Sequence, residues 1–162
     1  IGFMGAGKSY WGKIWAEKSG MTFFDLDEII EAKEQMTIDE IFDKKGEMYF
    51  RHIETVTLRS MLDFDNCIIA CGGGTPCYSD NMKWMNENGL TVFIKAKAQT
   101  LLQNMSHEIG KRPLFKKINQ AEILTFIKQK LKERDSYYTS AKKTLLIEAI
   151  NSESINLFLT KS

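Results

Sequence analysis

Proline is nearly absent, with two in 162 residues, and only two histidines and three cysteines are present. So little proline excludes a polyproline or linker-type chain. The cysteines, Cys67, Cys71 and Cys77, are odd in number and form no Cys-x-x-Cys pair, and His52 and His107 lie far from them in sequence. Neither a disulfide framework nor a zinc site fits that spacing. Reduced, largely buried thiols are expected instead, as in a cytosolic protein. Charge of one sign is missing too. Twenty-two basic residues against twenty-one acidic ones leave +1, which removes the global basic footprint of a nucleic-acid binder. No apolar run approaches the ~18 residues of a membrane span and no signal peptide is visible. The chain shows no repeat, linker or low-complexity stretch.

What is present begins at once. Gly2-Phe3-Met4-Gly5-Ala6-Gly7-Lys8-Ser9 matches G-x-x-x-x-G-K-[ST] in full. Such a loop turns the backbone N–H groups of Gly5, Ala6 and Gly7 around phosphate oxygens. Lys8 supplies a point charge for the β and γ phosphates, and the Ser9 hydroxyl is suited to Mg²⁺. Residues 10–18 read as the helix behind the loop, its N-terminus favouring the anion. The pattern requires a strand ahead of it, and only Ile1 and Gly2 precede Phe3. The chain is therefore expected to have lost a few residues of that strand.

Downstream, strand and helix alternate. Apolar strands are expected at 22–25, 67–70, 90–95 and 145–147. Helices are expected at 28–31, from the Thr37–Glu40 capping box to Lys45 with Gly46 as stop, and then from Glu47 to about 62. Further helices are expected at 80–88, 98–105, from 119–122 to Arg134, and from Ser152. Residues 106–118 lack a period and are basic, which reads as a loop. Five strands with helices between them imply an α/β/α sandwich over a parallel sheet. Ligands bind such sheets at the strands' carboxyl ends. The phosphate loop, the pair Asp25/Asp27 and the run Gly72-Gly73-Gly74 all fall there.

Phosphoryl transfer needs a metal ligand beyond the loop serine and a group to orient the attacking oxygen. Asp25 and Asp27, one residue apart on an extended backbone, would point to opposite sides and divide these roles. The plainer reading is that Asp27 caps a helix beginning at Glu28. Three glycines allow close backbone approach to a ligand. Arg51, Arg112 and Arg134 are the candidate cations. Arg51 stands four residues after Glu47, so a surface ion pair is its plainer reading. The residues by themselves reach a P-loop kinase of a small acceptor and stop there.

In order and spacing, the phosphate loop, Phe24-Asp25-Leu26-Asp27, Gly46-Glu47-Met48-Tyr49-Phe50-Arg51, Ala70-Cys71-Gly72-Gly73-Gly74, Arg112-Pro113-Leu114 and Arg134 with Tyr138 resemble the shikimate kinases over nearly the whole chain. The resemblance implies a nucleoside-monophosphate-kinase-like P-loop fold in one domain, 1–162, with sheet order 2-3-1-4-5. It implies an acceptor flap at 27–62 and a lid at 106–118. The implied activity is ATP-dependent phosphorylation of the 3-hydroxyl of shikimate, with Mg²⁺. The implied roles are Arg51 and Arg134 on the carboxylate, Asp27 on the ring hydroxyls and Asp25 on the metal through water. The Gly72–Gly74 backbone would lie along the substrate, and Arg112 would close over the phosphates. A cytoplasmic monomer without nucleic-acid or membrane partners is expected. Two positions depart from the pattern. Tyr10 stands where Ser or Thr is usual, and Asn104-Met105-Ser106 stands where a second lid arginine is common. Gluconate or a nucleoside monophosphate as acceptor, and a non-catalytic nucleotide-binding module, are the alternatives.

Overall fold

The computed structural model describes residues 1–106 and 122–159. Ten elements follow in chain order: α1 (Lys8–Ser19), β1 (Thr22–Asp25), α2 (Leu26–Glu34), α3 (Ile38–Ser60), β2 (Cys67–Ala70), α4 (Asn81–Asn88), β3 (Val92–Lys95), α5 (Ala98–Met105), α6 (Ile123–Thr139) and β4 (Lys143–Leu146). Short 3-10 turns lie at Met61–Asp63, Thr75–Cys77, Ile147–Ala149 and Ser152–Leu157. No helix of the described residues is long and apolar enough to cross a membrane.

Local chemistry sets the helix ends. The Thr37 hydroxyl accepts from the Glu40 N–H while Glu40 accepts from the Thr37 N–H, so both halves of the capping box form. Such a cap is worth about 1 kcal/mol. Gly46 interrupts α3 with φ 82°, and the chain kinks there between the two expected helices. With ψ 169° this is a region open in practice to glycine alone, costing another residue on the order of 1–3 kcal/mol.

The strands pair in parallel, Thr22 with Cys67 through Asp25 with Ala70, and Val92 with Lys143 through Lys95 with Leu146. These are the expected neighbours 2-3 and 4-5. Among the described residues the four strands form these two pairs, and Ile1 lies where the strand expected to join them in the order 2-3-1-4-5 would run. Ile1 makes two bonds to β3, donating to Val92 O at 2.8 Å and accepting from Ile94 N at 3.0 Å. The fifth strand lies earlier than expected, at Lys143–Leu146, and Ile147 begins a turn.

Two clusters of buried side chains flank this arrangement. Phe3, Trp15, Phe93, Leu101, Met105, Ile127 and Tyr138 belong to one; Leu26, Ile30, Ile41, Phe50, Leu58 and Met85 belong to the other. Of the three free cysteines only Cys71 is buried, in the second cluster, while Cys67 and Cys77 are half-buried. The register brings Asp25 beside Ala70, so the end of β1 faces the start of the glycine run.

Candidate active site

The phosphate loop forms as its glycines require. Gly5 and Gly7 have φ 77° and 78°, in the left-handed region. A Cβ on Gly5 would lie 2.7 Å from Met105 Cγ, so the loop rests directly on α5. The Asn104 amide donates to Gly5 O at 2.8 Å. Asn104 thus makes a neutral loop-holding bond in the neighbourhood where the resemblance leads one to expect a second lid arginine. Lys8 Nζ donates to Phe3 O at 3.1 Å across the loop. Tyr10 is 64% exposed, its ring edge-on to Trp11 at 5.1 Å, and Trp11 packs on Gly7.

Ser9 Oγ donates to Asp25 Oδ2 at 2.5 Å, uniting the loop with the end of β1. Asp25 also caps α2, its Oδ1 accepting from the Asp27 N–H at 3.1 Å. This corrects the expectation for the pair. The helix begins at Leu26, so Asp25 is the cap and Asp27 lies inside the first turn, not on the opposite side of an extended strand. An aspartate at a strand end satisfies the orphan N–H groups of the next helix, and that preference sets the start two residues early.

Asp27, like Asn81, has an unpartnered oxygen. Its Oδ1 is buried without a hydrogen-bond partner. Burial, then the neighbouring charges of Asp25 and Glu54, push its carboxyl up to about 6. A Cβ on Gly72 would stand 3.2 Å from that same oxygen. The glycine run therefore opens the space into which Asp27 points.

Arg51 is no surface residue. Its side chain is 14% exposed and bonds Glu47 Oε1 at 3.1–3.2 Å and Glu54 Oε2 at 2.9 Å. Burial would lower its pKa, but Glu54 and Glu47 outweigh that and raise it. Its guanidinium lies 4.2 Å from the Tyr78 ring centroid, and the Tyr78 hydroxyl donates to Glu47. A Cβ on Gly74 would meet Arg51 Nη1 and Nη2 at 2.8 Å. Behind Arg51, Glu54 is buried at 1% exposure and accepts from the Thr75 hydroxyl at 2.6 Å. Asn81, also fully buried, donates to Thr75 O at 2.9 Å. Glu54, Thr75, Tyr78 and Asn81 were not read from the sequence. Glu54 looks like one more helix charge, three residues after Arg51, and only burial shows its part.

Arg134 reaches the same glycine run from α6. Its Nη1 donates to Gly73 O at 3.0 Å, and its guanidinium stands 5.4 Å from the Phe3 ring centroid. The helix continues past the expected end at Arg134 to Thr139, which carries Tyr138 onto the same face. Its start is at Ile123, with Glu122 in the cap position and no side-chain cap bond; residues 119–121 lie outside the described residues. Arg112, Lys111 and the expected lid, apart from Ser106, lie outside them as well. Among the described residues no group of three acidic, cysteine or histidine side chains gathers around a metal position. One carboxylate and one hydroxyl, Asp25 and Ser9, are the oxygen donors on hand.

The described site thus joins a phosphate-binding loop to two arginines and a half-buried carboxylate across three glycines, the outfit of a P-loop phosphotransferase acting on a small anionic acceptor. Comparison with known proteins narrows the class. The family model "Shikimate kinase" matches residues 4–160. A shikimate kinase of Parabacteroides distasonis is 37% identical over 154 residues, covering 95% of this chain and 89% of its own. That of Bacteroides thetaiotaomicron is 39% identical over 140 residues, covering 86% and 80%. A crystal structure of shikimate kinase from Bacteroides thetaiotaomicron superposes with TM-score 0.89 at 35% identity, over 98% of this chain and 93% of that one. The Acinetobacter baumannii enzyme in complex with shikimate gives 0.85 at 31%, over 98% and 87%. The chain belongs to the shikimate kinase family.

Proposed function

We propose that this chain transfers the γ-phosphoryl group of ATP to the 3-hydroxyl of shikimate, giving shikimate 3-phosphate and ADP, a step toward chorismate and the aromatic amino acids. The observation that carries this reading is the pair of guanidinium groups, Arg51 at Gly74 and Arg134 at Gly73, flanking the space into which Asp27 points. Planar guanidinium forks suit a ring carboxylate. Asp27 accepts from the attacking hydroxyl and from its neighbour. With a pKa of about 6 it is ionised at neutral pH and still able to hold a proton in passing.

Lys8 and the backbone N–H groups of Gly5, Ala6 and Gly7 hold the phosphates, and Tyr10 lies beside them at the start of α1. Mg²⁺ takes few protein ligands and keeps several waters, and Ser9 with Asp25 meets that demand as an adjoining hydroxyl and carboxylate. When bound, the ion supplies neutralisation of charge on the transferring phosphoryl group. Residues 27–62 act as the acceptor flap and 106–118 as the lid, from which Arg112 closes over the phosphates and excludes water. The protein works as a cytoplasmic monomer.

A coupled ADP-release assay with Mg-ATP tests the assignment, with shikimate, gluconate and CMP offered in parallel beside a no-acceptor control. Turnover with shikimate alone is expected. Turnover with CMP would remove the carboxylate roles of Arg51 and Arg134, whereas turnover with gluconate would keep a carboxylate for them and overturn the choice of shikimate.

A further inference from the structure

Tyr138 has a hydrogen bond that packing alone does not require. Its ring is buried at 1% exposure and stacks on Phe93, centroids 5.0 Å apart. A tyrosine kept only for that stack would serve as well as phenylalanine. Instead its hydroxyl donates to Gly73 O at 2.5 Å, the same oxygen that accepts from Arg134 Nη1 at 3.0 Å. A carbonyl oxygen has two acceptor sites, and both are filled from one face of α6, since Arg134 and Tyr138 are four residues apart. Gly73 is wedged on its other side. A Cβ there would lie 3.4 Å from Gly2 O, from Met4 N and from Arg134 Nη1. The Gly73 peptide is therefore held between the entry of the phosphate loop and the guanidinium.

We infer that Tyr138 is a positioning residue for the acceptor: by pinning the Gly73 carbonyl it fixes Arg134 so that the guanidinium edge not bonded to Gly73 is presented to a carboxylate. Arg134 has five N–H donors in a rigid fork, and its orientation is set by one carbonyl and one aromatic ring, Phe3. Burial pushes the Tyr138 hydroxyl up to about 12, so it keeps its proton and donates throughout the working range. The inference rests on the assignment of Arg134 to the acceptor's carboxylate.

Tyr138→Phe tests it, because the ring and its stack are retained. KM for shikimate is expected to rise about fivefold, the equivalent of one neutral hydrogen bond. KM for ATP should stay within about twofold, since Gly5–Ser9 is untouched. The decisive comparison uses an acceptor in which the carboxylate is replaced by a hydroxymethyl group. Wild type and Tyr138→Phe should then have equal kcat/KM, for there is no carboxylate for Arg134 to meet. Placing Tyr138→Phe on an Arg134→Ala background should likewise add nothing further. An unchanged KM for shikimate overturns the inference. So does an equal penalty with both acceptors, or an additive penalty on the Arg134→Ala background, since either would mean that Tyr138 acts on the fold at large. Absence of shikimate turnover by the wild type would be a different failure, that of the acceptor assignment itself.

Discussion

The two halves of the site are built by opposite means. The phosphate half is a contiguous backbone device, eight residues whose glycines at 2, 5 and 7 all take positive φ, followed at once by a helix. The acceptor half is a side-chain device gathered from far apart. Arg51 and Glu54 come from α3, Thr75 and Tyr78 from the loop after β2, Asn81 from α4, and Arg134 and Tyr138 from α6. On the proposed reading the first half relies chiefly on backbone N–H groups, with the half-buried Lys8 as its one charged side chain. The second places charged groups where water is scarce, with Glu54 at 1% exposure and Asp27 Oδ1 unpartnered. A backbone device can fail only through its geometry. A buried charge network can also fail through its electrostatics, and the two halves should therefore break differently.

The largest effect is expected from Glu54→Ala. It leaves Arg51 short of its buried partner and Thr75 without an acceptor. Breaking one side of a buried pair costs on the order of 3 kcal/mol, which in a domain of this size lowers Tm by roughly 6–12 °C. A thermal melt measures it, and a loss under 1 kcal/mol would place Glu54 among ordinary helix charges.

Asp27→Asn should act in the reverse direction. The folded pKa of about 6 lies above the ordinary carboxylate value. Between about pH 4 and 6 the folded protein holds a proton that the unfolded chain has released, so stability falls as pH rises through that window. The loss, on the order of 2–3 kcal/mol, is complete above pH 6 and absent below pH 4. Asp27→Asn is expected to abolish phosphoryl transfer yet to melt higher at pH 7, by about 5 °C, and at the wild-type temperature at pH 4. Equal melting points at both pH values would contradict the buried charge. In the wild type, kcat/KM for shikimate should rise as pH increases through about 6, as Asp27 becomes an acceptor.

Gly5→Ala probes the other half. It sets a Cβ at φ 77° and 2.7 Å from Met105 Cγ, a cost of roughly 1–2 kcal/mol from the dihedral alone. Nucleotide binding should be lost while shikimate binding, followed by calorimetry, persists. Asn104→Ala is the gentlest change. Removing one neutral bond to Gly5 O should raise KM for ATP by about fivefold and leave KM for shikimate unmoved.

The same contrast governs what could be read in the sequence. The phosphate loop, the Thr37–Glu40 box and the Gly46 break are each decided within a few residues, and each stands as expected. The cap of α2 is Asp25 where the sequence suggests Asp27, because either aspartate could cap, and only Ser9, sixteen residues earlier, shows which carboxylate is bound at the strand end. Arg51 was recognised, but Glu54 was not, because a glutamate at i+3 on a helix is indistinguishable from a solvated charge until Thr75 and Gly72 close over it. α6 runs five residues past the expected end at Arg134. Asp135-Ser136-Tyr137-Tyr138-Thr139 has weak helix propensity, and the anchoring of Tyr138 on Phe93 and Gly73 overrides it. Ile1, just ahead of the phosphate loop, bonds β3 from the position where the pattern expects the loop's preceding strand.

The claim that the acceptor half is held by buried charge, independently of the phosphate half, is tested most directly by calorimetric titration of Glu54→Gln. This change keeps the shape of the side chain and removes only its charge. The account predicts that shikimate binds at least about tenfold more weakly, or 1.4 kcal/mol, while ATP binds as to the wild type. Parallel loss of both ligands would mean that the network supports the whole site rather than the acceptor half. Unchanged shikimate affinity would mean that Arg51 does not depend on the buried carboxylate at all.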